Sequence, residues 1–139
     1  MPPRPYYEDT ETLKVERKII ERFAPQVDCE SFKNPISYRV DFSLIRKGEI
    51  VAFAEAKRRY HNAGTYPTFM LSLGKYLAAC EMARMTSTTS LVVVQWNDVM
   101  GYTLFPCEFT LAIGGRDDRG DDQDKEPCIF VEMKHFIFL

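Results

Sequence analysis

Apolar and polar residues alternate along Tyr38–Arg59, YRVDFSLIRKGEIVAFAEAKRR, and the alternation breaks at Arg46-Lys47-Gly48-Glu49. Two extended apolar runs around a short polar turn containing glycine predict a β-hairpin. Strand side chains alternate between faces, so Glu55 and Lys57 share one face with Val51 and Phe53. Asp41 shares a face with Arg39, Ser43 and Ile45. A three-residue loop, Lys47-Gly48-Glu49, would set Asp41 directly opposite Glu55, with Cβ atoms roughly 5 Å apart. Val40, Phe42 and Leu44 would then lie beside Ala52, Ala54 and Ala56 on a wholly apolar face. A two-residue loop would pair Asp41 with Ala54 and separate the two acids by face. The three-residue register is the expected one.

Elsewhere the period is helical or the runs are short. Thr10–Phe23 has apolar residues at Leu13, Val15, Ile19, Ile20 and Phe23, with Thr10 as N-cap and a stop before Pro25. Glu16 falls inside that apolar stripe; Glu11, Lys14 and Glu21 fall outside it. An acid on a buried helix face is costly unless it is paired or bound to a cation. Residues 25–35 read as a connector and 60–67 as a loop. A second helix, apolar nearly all round and therefore mostly buried, is expected over about Thr68–Met85. Lys75 is the long base in its middle. Leu91–Trp96 reads as a buried central strand. Gly101–Phe105 and Phe109–Ile113 read as further strands and Cys128–Phe138 as a final one. Residues 1–9 read as a poorly ordered leader and 114–127 as a mobile acidic loop. The order helix, hairpin, helix, strand, strand implies a single α/β domain over residues 1–139, with a mixed central sheet flanked by helices.

Two carboxylates side by side on a sheet repel unless something neutralises them. A hard divalent cation does so, and Mg²⁺ or Mn²⁺ prefers oxygen ligands. An amine beside such a cation can orient an attacking water or stabilise charge on a phosphate. Asp41, thirteen intervening residues, then Glu55-Ala56-Lys57 resembles the PD-(D/E)xK nuclease superfamily, with Val40 where the superfamily's name has proline. The resemblance spans about Glu11–Trp96 in element order. It implies a restriction-endonuclease-like α-β-β-α-β core, here with extra C-terminal strands, and a metal-dependent nuclease. It assigns Mg²⁺ (or Mn²⁺) to Asp41, Glu55 and the Ala56 carbonyl. Catalysis falls to Asp41, Glu55 and Lys57, with a further metal-site acid on the first helix carried to Glu16, or secondarily to Glu11. A polar residue of the second helix often faces the site in such nucleases. Lys75 therefore has two open readings, contact with a phosphate or extension into solvent. A second Glu-x-Lys, Glu132-Met133-Lys134, lacks a closely preceding strand with an aspartate and is the weaker candidate.

The net charge of −2 argues against a general nucleic-acid binder, but the charge is uneven. Arg116–Glu126 carries a net of −3, which leaves the rest of the chain near +1. Arg39, Arg58, Arg59, His61 and Lys75 gather around the proposed site as candidate phosphate contacts. The scattered Cys29, Cys80, Cys107 and Cys128 form no zinc pattern and read as reduced thiols, two or three of them buried. Without an apolar leader or a long apolar run, the expectation is an intracellular protein, in the host cytoplasm if viral, acting away from membranes. There is no separate sequence-reading module. That favours DNA recognised by backbone shape, with RNA still open, in replication, repair or recombination. Junction resolvases and virus-type replication-repair nucleases are the small stand-alone branches it resembles. The apolar end His135–Leu139 offers an edge for a homodimer. The rival reading is a non-catalytic nuclease-like module that grips nucleic acid or serves as a scaffold.

Overall fold

A computed structural model describes residues 10–115 and 125–139. Helix α1 spans Thr10–Phe23, within the bounds its periodicity predicts. It passes into a 3₁₀ turn, Ala24–Val27, closed by Asp28 in the left-handed region (φ 58°). The expected connector then holds a strand of its own, β1 (Glu30–Lys33). This short edge segment has alternating burial, but its sequence ESFK is too polar and too brief to announce itself. Strands β2 (Phe42–Arg46) and β3 (Glu49–Arg58) form the predicted hairpin.

The hairpin corrects one expectation while keeping its geometric result. The loop has two residues, Lys47 and Gly48, not three. Arg46 pairs with Glu49 and Ile45 with Ile50. Both loop residues have positive φ (53° and 78°), the mark of a type I′ turn, whose twist suits a tight hairpin. The register then shifts between Leu44 and Ile45, because Val51 is left unpaired as a β-bulge. Beyond the bulge Leu44 pairs with Ala52, Ser43 with Phe53 and Phe42 with Ala54. The next step places Asp41 opposite Glu55. Lys47 accepts a left-handed conformation that costs an L-residue about 1–2 kcal/mol, whereas asparagine tolerates it better. Lys47→Asn is therefore expected to raise stability by about 0.5–1 kcal/mol. In urea the midpoint should rise with no change of slope; an unchanged midpoint would refute the turn assignment.

The expected second helix begins late. Thr68–Ser72 is strand β4, with Phe69 and Leu71 buried in strict alternation, and only Leu73–Thr86 is helix α2. α2 buries Tyr76, Ala78 and Ala79 but leaves Leu77 and Met85 in solvent, so it is half-buried rather than enclosed. Strands β5 (Thr89–Gln95), β6 (Met100–Phe105), β7 (Thr110–Gly115) and β8 (Lys125–Glu132) follow. The expected last strand is divided. β8 ends at Glu132, a 3₁₀ turn covers Met133–His135, and β9 is Ile137–Phe138. The leader at 1–9 and the centre of the acidic loop, 116–124, lie outside the described residues; the loop's expected ends, 114–115 and 125–127, are strand.

The strands form two sheets rather than one: β1-β2-β3-β5-β6-β9, and β4-β8-β7. The first is mixed, with β3 and β5 parallel and its other neighbours antiparallel. Its two faces build two cores. On one, Ile19, Ile20 and Phe23 of α1 rest on Phe42, Leu44, Ala52, Ala54, Ala56, Leu91 and Val93. The alanines of β3 leave room for the helix to lie close. On the other, Val92, Val94, Trp96 and Phe105 pack with Phe69, Leu71, Tyr76, Ala79, Ile129, Val131 and Phe136. β5 is thus buried on both faces, which explains its unbroken apolar run. Among the described residues no helix is long and apolar enough to cross a membrane. Of the four free thiols, Cys128 alone is buried and the others are half-buried, fewer than expected.

Candidate active site

Glu55 lies in the middle of the protein, on the face of β3 that points away from α1. It is fully buried (0% exposed), and neither carboxylate oxygen has a hydrogen-bond partner. Burial pushes its pKa from 4.5 up to about 8; the Asp41 carboxylate adds to the rise, and the Lys75 and Lys57 ammoniums partly offset it. A buried carboxylate without a hydrogen bond costs the fold free energy unless a cation compensates it, and here the Lys75 ammonium lies 3.6 Å away.

Asp41 sits just before β2. Its position is fixed by Asn34, a buried residue inside the expected connector that had not stood out as a site residue. The Asn34 main-chain N–H donates to the Asp41 carbonyl (2.8 Å), its Nδ2 donates to the Val40 carbonyl (3.0 Å), and its Oδ1 accepts from Ser43 Oγ (2.8 Å). The Asn34-Pro35 pair was the available signal, since that dipeptide marks turns whose asparagine bonds the local backbone.

Lys75, from the first turn of α2, reaches both acids: its Nζ lies 3.6 Å from Glu55 Oε1 and 3.8 Å from Asp41 Oδ1. Burial works against its charge, but Glu55, Asp41 and Glu16 together outweigh that and hold its pKa above the ordinary value. Of its two open readings, extension into solvent is not what the structure has: the ammonium faces the site and stands between the carboxylates. Lys57 is half-buried on the Glu55 face and, with Glu16, Glu11, Thr12, Val15, Arg58, Arg59 and Tyr60, lines a cavity of about 310 Å³ at the end of β3. Glu16 is half-buried and close enough to act electrostatically on Lys75. Ala56 turns its methyl into the α1 core.

The basic candidates divide. Arg39 is exposed. Arg58 donates to the Gln95 carbonyl (3.1 Å) and to Asn97 Oδ1 (2.8 Å) and stacks on Tyr60 (4.3 Å). Arg59 donates to the Met70 carbonyl (2.9 Å) and lies over the Phe69 ring (4.9 Å), and burial lowers its pKa. Both therefore spend donors within the fold. His61 packs edge-on against Tyr66. The second Glu-x-Lys lies apart, with Lys134 and Glu132 in an exposed ion pair (3.2 Å).

The donor set fits a small hard cation. Mg²⁺ is commonly held by one or two carboxylates while keeping several waters, and here two carboxylates from the two arms of the hairpin meet, one with neither oxygen hydrogen-bonded. Among the described residues no group of three or more His, Cys, Asp or Glu side chains converges as ligands.

A family model described as "Phage putative PDDEXK endonuclease" matches residues 2–139. The chain belongs to this family. Membership in the phage PDDEXK endonucleases places it in the PD-(D/E)xK superfamily and makes it a nuclease. The fold is similar to that of Hjc, a Holliday junction resolvase from the archaeal hyperthermophile Archaeoglobus fulgidus. The TM-score is 0.58 at 11% identity, over 88% of this chain and 84% of that one. At that identity the likeness concerns the fold, a restriction-endonuclease-like mixed sheet. No curated protein matches the chain.

Proposed function

We propose that this phage-family nuclease is a divalent-metal-dependent endonuclease that cuts DNA, recognises backbone structure rather than sequence, and acts in replication, repair or recombination. The observation that carries this reading is Glu55, fully buried with neither oxygen hydrogen-bonded, beside Asp41 just ahead of β2, with the Lys75 ammonium shared between the two acids. Asp41, Glu55 and the Ala56 carbonyl would hold Mg²⁺ or Mn²⁺. When bound, such a cation polarises a phosphoryl oxygen and makes a water a stronger nucleophile at neutral pH.

The rest is work for the chain's own groups. Lys57 orients the attacking water and stabilises negative charge as the new P–O bond forms and the bond to the leaving oxygen breaks. Glu16 steadies water or further positive charge at the α1 side of the cavity. Lys75, which neutralises Asp41 and Glu55 in the protein alone, swings to a phosphate when a cation takes that task. Arg39 and His61 remain for backbone phosphates, with Arg58 and Arg59 shaping the wall. β9 forms one edge of the large sheet with Ile137, Phe138 and Leu139 about half exposed, a surface on which a second copy can pair.

The test is Mg²⁺ calorimetry together with cleavage of duplex, flap, splayed-arm and four-way DNA. The expected result is one cation site lost in Asp41→Asn, and cutting that needs Mg²⁺ or Mn²⁺ and favours branched DNA. Symmetric four-way cuts by a species that sediments as a dimer would support the resolvase branch. Absence of cation binding would leave a non-catalytic module and defeat the proposal.

A further inference from the structure

A second cavity opens on the far side of Arg59. It has a volume of about 390 Å³ and is bounded by His61, Tyr66 and Pro67 from the loop after β3, by Thr68, Phe69 and Met70 of β4, and by Trp96 and Phe130. A volume of this size lies within the ordinary range for small-molecule sites. Its walls are mostly aromatic. Phe69 and Trp96 meet edge to face (6.4 Å), and His61 stands edge-on to Tyr66 (4.9 Å) at the mouth. Tyr66 is 57% exposed, unlike the buried Phe69 and Trp96.

Arg59 borders both cavities, this one and the one that holds Lys57 and Glu16. Its guanidinium is held by the Met70 carbonyl and the Phe69 ring, both of which line the second cavity. Lys57 and Arg59 are two residues apart along the chain, ~6.6 Å in extended backbone. The two spaces thus share Arg59 as a lining residue. An occupant suited to both has a planar apolar body for the aromatic space and a phosphate for the basic one. A nucleotide has those parts, and base–aromatic stacking accepts any base because every base has a π-face.

We infer that this cavity receives one unpaired nucleobase of the strand being cut, while the adjoining phosphate lies beside Lys57. This rests on the nuclease reading above and narrows it to DNA with an unpaired nucleotide next to the scissile phosphate. Selectivity then arises because an unpaired base enters without breaking a base pair, whereas a paired base must first be unstacked.

Trp96 is the chain's single tryptophan and lines the cavity, so with protein concentration held fixed its emission reports on what enters there. Three DNAs serve as probes: a duplex with one unpaired adenine at a branch, the same DNA with an abasic site there, and a fully paired duplex. Binding is measured with Lys57→Ala protein, and cutting with wild type. The unpaired adenine is expected to bind about tenfold tighter than the abasic DNA, within the range one stacked base gives, and to quench Trp96 emission. Tyr66→Ala should reduce that preference to about twofold or less. Equal affinity for adenine and abasic DNA, with Trp96 emission unmoved, overturns the inference, and needs no variant in the cavity. If the protein cuts DNA under that outcome, the nuclease reading stands alone. A base preference without cutting would keep the cavity assignment and defeat the nuclease reading.

Discussion

Lys57→Ala is expected to slow DNA cutting by roughly 10²–10³-fold, the usual cost of removing one preorganised donor aimed at developing negative charge. Cation binding should survive, because Lys57 contributes charge and hydrogen bonding rather than a ligand atom. Asp41→Asn should lose both, since one of two carboxylates then loses its charge. The pair of variants separates holding the cation from using it. Both positions lie at strand ends and are half-buried, so neither change removes core packing. Lys134→Ala is the control. It dissolves only the exposed pair with Glu132, and its cutting rate should match wild type. Steady-state rates on one branched DNA, with Mg²⁺ affinity from calorimetry, check all three. Cutting by Lys57→Ala at the wild-type rate would sink the assignment, and loss of cutting in Lys134→Ala would move the site to the second triplet.

The second large effect is on stability. Without a cation, Glu55 titrates near 8 when folded, against an ordinary value of 4.5. Between those values the unfolded chain gives up the proton and the folded chain keeps it. Stability that is present below about pH 4.5 is therefore lost as pH rises toward 8, by roughly a few kcal/mol. Glu55→Gln cannot ionise, so it should abolish most of this loss and melt higher than wild type at pH 8, while cutting no DNA. Mg²⁺ should restore wild type at pH 8 by binding the ionised form, and should leave Glu55→Gln unmoved. Thermal melts at pH 5 and 8, with and without Mg²⁺, read the whole set. A wild type whose metal-free stability does not change over that range would contradict a carboxylate raised by burial. The stability–activity opposition at one residue is what a site that stores unfavourable charge should display.

Elements whose own residues carry the signal were legible in the sequence. α1 follows from a 3.6-residue period and a proline stop, the hairpin from alternation around Lys47-Gly48, and β5 from an apolar run with no polar face. The meeting of Asp41 and Glu55 was legible for the same reason: they belong to one hairpin, so local pairing governs it. The turn shows the limit of this. Two loop residues alone would have separated the acids, and the unpaired Val51 brings them back into register. A bulge leaves no mark in residue type, because Ile50 and Val51 read equally well in or out of the ladder.

What the chain's order of residues determined by itself was the set of short-range structures and the two acids and the amine they carry, because periodicity and turn chemistry act over a few residues. Tertiary structure alone decided three things. β4 became a strand, because Thr68–Ser72 finds an edge on β8 some sixty residues later. Lys75 came to stand between Asp41 and Glu55, because α2, which lies in the crossover from β3 to β5, packs against those two strands. And Glu55 became buried without a hydrogen bond, because β4, β8 and α2 close over that face of the sheet and exclude the water that would otherwise solvate it.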